Sequence, residues 1–369
     1  MADRSSNRIL TINSGSSSIK FSLYDMGKGE TGILQGEAKG IGLPSGSFRV
    51  EGGSGPGSIR EPAAFRDHAS ALNRIVDYLR HEPAAGDLSG VGHRLVHGGR
   101  KFIEPHLITV DLIRELNRLI PLAPDHLPHE IEAVRSFRQH YPRMKNVACF
   151  DTAFHTHMPG IAKVYPLPRG LRSQGILRYG FHGLSFEYIT SELKKGEKGK
   201  TRRSRIIVAH LGNGASMAAL RGGRSVDTTM GFSPAGGLVM STRTGDLDPG
   251  VLLYLFKEKS LDLEAVNHVV NKEGGLLGIS GVSPAMEELL RLEAKNKNAA
   301  EAVDLFCYQA RKFLGSLAAV LGGLDLLVFT GGIGENAPAV RARICSDLGF
   351  LGIRLDPARN RINAPRISL

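Results

Sequence analysis

Cysteine is scarce in this sequence of 369 residues, and its three copies, Cys149, Cys307 and Cys345, show no CxxC spacing. So few and scattered cysteines argue against a disulfide framework or a zinc site, and they indicate a reducing compartment, the cytoplasm. No apolar run approaches the length of a membrane span, and no basic region followed by an apolar stretch opens the chain. We therefore expect neither a membrane segment nor a secretory signal.

The length of the chain predicts two domains, each large enough to bury its own core. The net charge of +11 draws in nucleic acids, membranes or small anions. The densest basic run, between Lys194 and Arg205, contains no aromatic side chain, which nucleic-acid binding would require. We interpret that run as a solvated connector and expect no nucleic-acid partner.

Residues 9–25 carry the most informative pattern, an apolar strand, a turn of small hydroxyl residues and a second alternating strand. The turn contains Gly15, Ser16 and Ser18, with Asn13 before it and Lys20 after it. Backbone N–H groups, hydroxyl groups and a lysine charge suit phosphate oxygens. An ordinary Ser/Gly hairpin explains the segment equally well, so both interpretations stay open here.

The same strand, small-residue turn and strand recur weakly at 206–220, where Asn213-Gly214-Ala215-Ser216 aligns with the first turn. A duplicated hairpin that opens each half is expected of two similar α/β domains.

Two further candidates follow predicted strands in the first half. Arg94, in GHRLVHGG, can present its planar guanidinium to a carboxylate or phosphate, although a surface salt bridge is the alternative. Asp151, in FDTAFH, follows an apolar strand, where α/β folds place catalytic groups. A helix N-cap is the alternative for Asp151. We interpret the neighbouring histidine His155 as structural.

The second half carries His182 in RYGFHG, which can donate a hydrogen bond to a phosphoryl oxygen as charge develops. Arg243 lies in a polar run with two acids, for which a loop that caps the next helix is the alternative. GGIGEN (331–336) imitates a dinucleotide fingerprint, but too few residues follow to complete a second βαβ half. Contact between these glycines and a nucleotide remains plausible, because helix N-termini favour anions.

Each cluster is modest alone, but together they occur in the order and spacing of the acetate kinases, over residues 9–355. The chain thus resembles that family within the sugar kinase/hsp70/actin superfamily. The resemblance implies an α/β fold of duplicated ribonuclease H-like (actin-like ATPase) domains at 1–154 and 155–369. It further implies mixed five-stranded sheets flanked by helices, a cleft between two lobes, and a homodimer.

The resemblance also implies direct in-line phosphoryl transfer between ATP and acetate, with Mg²⁺, giving acetyl phosphate and ADP. Arg94 and Arg243 would grip the carboxylate and the phosphoryl group, His182 would stabilise the transition state, and Asp151 would position the carboxylate or metal. The implied phosphate, metal and path residues are Asn13 (metal), Ser16, Ser18, Lys20, His126 and His210. The implied nucleotide residues are Asn213, Gly214, Gly332, Ile333, Gly334 and Asn336, and those facing the acyl tail are Val96, Phe181 and Pro234.

Three departures from the family leave alternatives open. Asp125 replaces an apolar residue near the implied acyl pocket, and the family's adenine-loop signature is absent at 281–286. The family also continues through a segment with a magnesium-binding glutamate and a closing helix that this sequence lacks. A propionate kinase, or a non-catalytic nucleotide-binding relative, therefore remains an alternative.

Overall fold

The computed structural model describes residues 7–27, 29–53, 58–86, 88–196 and 204–369. It divides into two compact units, Met1–Ala153 (unit 1) and Phe154–Leu369 (unit 2). The proposed domain boundary at 154/155 lies one residue further along the chain. Residues 197–203 of the basic run interpreted above as a connector lie outside the described residues.

Unit 1 is built on one mixed sheet whose strands run in the order β5-β4-β3-β2-β1-β6-β8-β7. The strands β1–β5 form successive antiparallel pairs, whereas β6 lies parallel to β1 and β8 lies parallel to β6. The strands are β1 (Arg8–Ser14), β2 (Ser18–Asp25), β3 (Thr31–Lys39), β4 (Ser47–Gly52), β5 (Ile59–Pro62), β6 (Leu88–Leu95), β7 (His106–Leu107) and β8 (Lys145–Phe150).

Three helices accompany this sheet, α1 (His68–His81), α2 (Val110–Leu119) and α3 (Leu127–His140). Asp67 begins α1 through a capping box with Ser70. Alternate residues of the strands, such as Leu10 and Phe21, are buried in a core that α1 covers. The other face of the hairpin therefore remains open for polar side chains.

Unit 2 contains the sheet β11-β10-β9-β12 and a set of helices. The long helix α10, begun by the Asn296 side chain and ended by Gly322 in the left-handed region, buries one apolar face against β9, β10 and β11. The elements are α4 (Arg169–Ser173), α5 (Gly183–Gly196), β9 (Arg205–Leu211), β10 (Ala215–Arg221), β11 (Arg224–Thr228), α6 (Pro249–Lys257), α7 (Leu263–His268), α8 (Gly275–Ser280), α9 (Met286–Leu292), α10 (Lys297–Leu321), β12 (Leu326–Thr330), α11 (Gly331–Asn336), α12 (Pro338–Cys345) and α13 (Pro357–Arg361).

The internal repeat predicted from the sequence is confirmed in the topology of the two sheets. In each, an antiparallel hairpin is followed, after a crossover, by a strand parallel to the hairpin's first strand: β1–β2 then β6, and β9–β10 then β12. A third antiparallel strand lies on the other side of each hairpin, β3 in unit 1 and β11 in unit 2. The duplicated α/β design thus holds within each unit.

The predicted strand count of five per sheet is wrong for the described residues, which form one sheet of eight strands and one of four. Unit 1 gains strands because the Gly- and Pro-broken segment 33–60 extends the sheet edge with β4 and β5, and because the short β7 pairs with β8. In unit 2 the sheet ends at β12 among the described residues. No helix among the described residues combines the length and the apolar character that crossing a bilayer needs.

Candidate active site

The serine-rich turn of unit 1 is residues 15–17, between β1 and β2. Its backbone carbonyls point into the protein, since Ser17 O accepts from the N–H groups of Gly40 and Ile41, and Gly15 O lies 2.7 Å from His68 Nε2. Because a carbonyl can only accept, His68 Nε2 donates this bond. Ser16 is exposed and Ser18 is half-buried. Hydrogen bonds to these carbonyls therefore hold the backbone of the turn, and the Ser16 side chain lies at the surface.

Asn13 and Lys20 lie directly opposite each other in the register of β1 and β2, so their side chains share one face of the sheet. Both are exposed. Lys20 forms an ion pair with Glu37, opposite it on the neighbouring strand β3, with 3.9 Å between Nζ and Oε1 in a solvent-exposed contact. Such a pair is worth little, so the ammonium is available to an anion that approaches the serine turn.

Arg94 lies near the end of β6, and its guanidinium makes three charge-assisted hydrogen bonds. Nε and Nη2 donate to Asp151 Oδ2 at 3.1 and 2.6 Å, and Nη1 donates to Asn13 Oδ1 at 2.9 Å. The Asp151 side chain is 3% exposed, whereas that of Arg94 is 26% exposed. Burial alone would lower the pKa of Arg94, but the charge and hydrogen bond of Asp151 raise it, so the guanidinium stays charged.

The structure therefore brings Asn13, Arg94 and Asp151 together in unit 1, from β1, β6 and the turn after β8. The Asp151 carboxylate accepts from Arg94, and its own N–H donates to Leu95 O at 2.9 Å. Arg94 keeps part of its surface exposed while Asp151 fixes its orientation. This arrangement holds a cation ready for an anionic ligand.

Val96 and His126 are two further predicted residues of unit 1. Val96 follows β6, is 1% exposed, and donates its N–H to Glu130 Oε2 at 2.9 Å. His126 precedes the first turn of α3 and is half-buried, as is its neighbour Asp125. The motif search missed Glu130, which is fully buried in α3, because a single glutamate on a helix carries no distinctive spacing.

The second small-residue turn, residues 212–214, joins β9 to β10 and closes with a bond from Gly212 N to Gly214 O of 3.1 Å. His182 lies against it: an ideal Cβ on Gly214 would sit 3.2 Å from His182 Nε2. His182 Nδ1 hydrogen-bonds Ser216 Oγ at 2.8 Å, and its ring lies 4.7 Å from that of His210. Glycine at 214 thus leaves the space that the imidazole occupies.

The backbone of His182 has φ 58°, in the left-handed region that non-glycine residues rarely adopt. Such strain persists only where the surroundings enforce it, and it is common at functional sites. His155, fully buried, supplies part of the constraint, because its Nε2 donates to Phe181 O at 3.0 Å while Ser225 Oγ bonds its Nδ1 at 2.8 Å. The structural role predicted for His155 is confirmed, and Phe181 is packed in the core at 1% exposure.

Arg243 also reaches the second turn, with Nη1 placed 3.8 Å from the ideal Cβ position of Gly214. The same Nη1 donates to Pro234 O at 3.1 Å, and this bond links Arg243 to the loop that contains Pro234. Ser241, two residues before Arg243, donates its N–H to Asn213 O at 3.1 Å. Unit 2 therefore gathers His182, His210, Arg243 and the 212–214 turn into one cluster.

The glycine-rich segment 331–336 forms helix α11 directly after β12. Gly331, at φ +80°, turns tightly against Leu211, where a Cβ would meet the Leu211 carbonyl oxygen at 2.6 Å. Four of the five residues of β12, the strand before it, are half-buried. Gly332 and Asn336 are exposed, Ile333 is half-buried, Gly334 is buried, and the Asn336 amide donates to Gly332 O at 3.0 Å.

A buried arginine that the motif search missed holds this helix in place. Arg341 is 2% exposed, and its Nη1 donates to the carbonyls of Gly334 and Glu335 at 2.9 and 2.8 Å. Its other donors reach Asn360 and Asn363. The cation satisfies carbonyls at the end of α11, where positive charge is favoured. A single arginine after GGIGEN gives no sequence signal that separates it from a surface residue.

The described residues suit a magnesium ion only in part. Asn13 Oδ1, the predicted ligand, accepts from Arg94 Nη1, and its second lone pair is the one a metal could use. Asp151 is the carboxylate beside it. One group of potential metal ligands, His68, His129 and Glu132, has ligand atoms within 4.8 Å of one another. Two imidazoles do not suit Mg²⁺, which prefers oxygen and usually binds through carboxylates and substrate phosphates.

Fold and site together define a class of protein. The mixed sheets flanked by helices, with the repeated hairpin, are those of the duplicated ribonuclease H-like (actin-like ATPase) fold, and both hairpin turns carry groups suited to phosphate. The family model of the Acetokinase family matches residues 8–368, and the chain belongs to that family.

Individual relatives agree with this membership. An acetate kinase of Rhodopseudomonas palustris (strain TIE-1) is 43% identical over 98% of this chain and 92% of its own length. The crystal structure of Porphyromonas gingivalis acetate kinase is similar with a TM-score of 0.87 and 36% identity, covering 98% of this chain and 93% of that one. A propionate kinase from Francisella tularensis is similar with a TM-score of 0.92 and 34% identity over the same shares.

Proposed function

We propose that this protein is a kinase that transfers a phosphoryl group between ATP and acetate, forming acetyl phosphate and ADP. The observation that carries this proposal is the family match over residues 8–368, which contains all the motifs identified above. The described contacts support it, because each unit presents a guanidinium beside a small-residue hairpin turn.

In unit 1, Arg94 binds an anionic group while Asp151 holds the guanidinium plane. Serine and lysine groups at the 15–17 turn add phosphate donors. Phosphoryl transfer needs positioning and charge neutralisation more than covalent help, and these groups supply both.

In unit 2, His182 donates to the phosphoryl oxygens as negative charge develops, and Arg243 neutralises the same charge. Asn213, Gly214 and the α11 segment bind the nucleotide. Asn13 and Asp151 are the residues that would hold Mg²⁺, which would supply neutralisation of the negative charge on phosphate oxygens.

A hydroxamate-trapping assay with ATP, Mg²⁺ and either acetate or propionate tests the function. We expect acyl hydroxamate from acetate, formed only with both enzyme and ATP present. Formation of no acyl phosphate from any short carboxylic acid would exclude a kinase and favour the non-catalytic, nucleotide-binding alternative.

Propionate is the second candidate substrate, favoured by the similarity to the Francisella tularensis propionate kinase. An extra methylene in an apolar pocket changes specificity by only about 1–3 kcal/mol, which residue types alone do not resolve. The ratio of the kcat/KM values for acetate and propionate shows which acid is the preferred substrate, and we expect it to favour acetate.

We further propose that two copies of the chain pair through α6. None of its residues is buried, although Val251, Leu253, Tyr254 and Phe256 are apolar or aromatic and between 40% and 68% exposed. Exposed apolar side chains in this number on one helix are typical of interaction sites. Analytical ultracentrifugation should show a dimer that Leu253→Glu converts to a monomer, whereas the control Lys312→Glu, at an exposed position of α10, should leave it dimeric. A monomeric wild-type protein would exclude this interface.

The cytoplasm is the compartment we propose, on the basis of the cysteines. All three are free thiols in the structure, and burial raises the pKa of both Cys307 and Cys345 to about 12, which keeps them protonated and unreactive. Free thiols of this kind are typical of proteins in a reducing compartment.

A further inference from the structure

A cluster of potential metal ligands lies beside the serine-rich turn of unit 1 and is not used in the function proposed above. One ring nitrogen of His68, one of His129 and a carboxylate oxygen of Glu132 lie within 4.8 Å of one another. His68 is 6% exposed, whereas His129 and Glu132 are half-buried. The protein therefore covers the cluster in part and leaves it accessible to an ion from solvent.

Two helices supply these three side chains. His129 and Glu132 are three residues apart in α3, a spacing that places them on the same face of the helix. His68 is the first residue of α1, which packs against α3. The rings of His68 and His129 stack with their centroids 4.0 Å apart. The packing of α1 on α3 thus brings donors that lie far apart in the sequence to one place.

The hydrogen bond of His68 prepares its ring for a metal ion. Nε2 donates to Gly15 O at 2.7 Å, so Nδ1 of the neutral ring carries the lone pair that a metal can use. Histidines that bind metals almost always donate their other ring N–H to a carbonyl or carboxylate, which fixes the tautomer and the ring orientation. The same bond joins the cluster to the 15–17 turn.

Glu132 supplies the negative charge of the cluster. Within the part of the chain that the structure describes, its carboxylate forms neither a hydrogen bond nor an ion pair. Two neutral imidazoles and one carboxylate together carry one negative charge, which a divalent cation would offset. The carboxylate is therefore available as the third ligand.

The donor set selects the kind of ion. Imidazole nitrogen suits Zn²⁺, Ni²⁺ and Cu²⁺, whereas Mg²⁺ and Ca²⁺ prefer oxygen alone. Two histidines and one glutamate are a known three-ligand set for Zn²⁺, with the fourth position left to water. With bonds of about 2.0–2.2 Å, tetrahedral ligand atoms lie about 3.4 Å apart, so the side chains would close on the ion. The scattered cysteines, which argue against a thiolate site, take no part in this cluster.

We propose that His68, His129 and Glu132 form a binding site for Zn²⁺, distinct from the site of the Mg²⁺ that serves the nucleotide phosphates. The ion links α1 to α3 beside the 15–17 turn. Because it binds the folded chain, it also stabilises the fold. The inference does not depend on the proposed kinase activity, and its tests contain neither nucleotide nor carboxylic acid substrate.

Calorimetric titration of the full chain with zinc chloride, after treatment with a chelator and its removal, tests the site. We expect one Zn²⁺ per chain in the wild type. His129→Gln and Glu132→Gln should each weaken this binding by about tenfold or more, since even the loss of an outer hydrogen-bond partner costs about 10–100-fold. His81→Gln, at an exposed position of α1, is the matched control and should keep the wild-type affinity.

Two results of the titration would overturn the inference. One is the absence of zinc binding to the wild-type chain. The other is equal affinity in the wild type and in both cluster variants, which would show adventitious binding to surface histidines. Circular dichroism of the metal-free variants checks their fold. If His129→Gln does not fold, the half-buried Glu132→Gln still decides, because it replaces the carboxylate with a neutral group of the same shape.

Cobalt(II) in place of zinc identifies the ligands by absorption spectroscopy. Histidine and carboxylate ligands should give visible d–d bands without a thiolate charge-transfer band in the near ultraviolet, and Glu132→Gln should change these bands. A thiolate band would place the ion at a cysteine and contradict the site. Zinc should also raise the midpoint of thermal unfolding in the wild type and in His81→Gln, but not in Glu132→Gln. An equal rise in all three proteins would likewise contradict it.

Discussion

Replacement of Arg94 by lysine tests whether anion binding in unit 1 depends on the geometry of the guanidinium or only on its charge. The side chain makes two bonds to Asp151 Oδ2 and one to Asn13 Oδ1. A lysine ammonium is a compact point charge that cannot reproduce this planar set of donors and also contact a substrate. Alanine is a poorer choice, because it would leave the Asp151 carboxylate buried without a cation, at a cost of about 3–5 kcal/mol.

The expected size of the effect follows from the bonds lost. Hydrogen bonds that involve a charged group contribute about 1.5–3 kcal/mol each. The lysine keeps the attraction to Asp151 and loses at least the Asn13 bond, so the free energy of unfolding should fall by about 1–3 kcal/mol. Loss of a positioned donor to the reacting group should lower kcat/KM by about 10²–10³.

Stability is measured by urea denaturation, and activity by the hydroxamate assay under the same conditions. Arg143→Lys is the matched control, exposed and in the same unit, and should change neither quantity appreciably. An Arg94→Lys variant that retains activity within about threefold of wild type would refute the reasoning, because that is under 1 kcal/mol of transition-state stabilisation.

Three further outcomes are expected. Arg243→Ala should lower kcat by about 10²–10³ with the fold intact by circular dichroism, whereas near-normal turnover would remove this residue from the site. His182→Gly and His182→Ala should both lose activity, but glycine should be more stable by about 1 kcal/mol, because it relieves the left-handed backbone at φ 58°; equal stability would contradict the strain. Burial lowers the pKa of His93 to about 4 from 6.5, so the folded protein resists its protonation and its contribution to stability is lost as the pH falls from 6.5 to 4. Urea denaturation at pH 7 and 5 should show a loss about 2 kcal/mol larger in wild type than in His93→Gln, and an equal loss would exclude that pKa.

The hairpins and their repetition could be predicted from the sequence because the signal is local. Apolar and polar residues alternate in β1 and β2, in step with the burial of the strands, and small residues lie between them. This pattern specifies strand, turn and strand without knowledge of the rest of the chain. The number of strands per sheet could not be predicted from the sequence, because it depends on the sheet edges at which β4, β5 and β7 pair.

Within the site, motif residues such as Arg94 and His182 stand out because glycines flank them. Glu130 and Arg341 do not, because their importance comes from burial and from long-range partners that no spacing records. The bonds of Arg94 to Asp151 span 57 residues. Only the fold shows that the aspartate accepts hydrogen bonds from this arginine.

The most direct test of the account is phosphorus NMR of the protein incubated with ATP, Mg²⁺ and acetate. The account predicts that the acetyl phosphate signal grows in step with ADP and that the Arg94→Lys variant forms it far more slowly. ATP hydrolysis to inorganic phosphate without acetyl phosphate would contradict it.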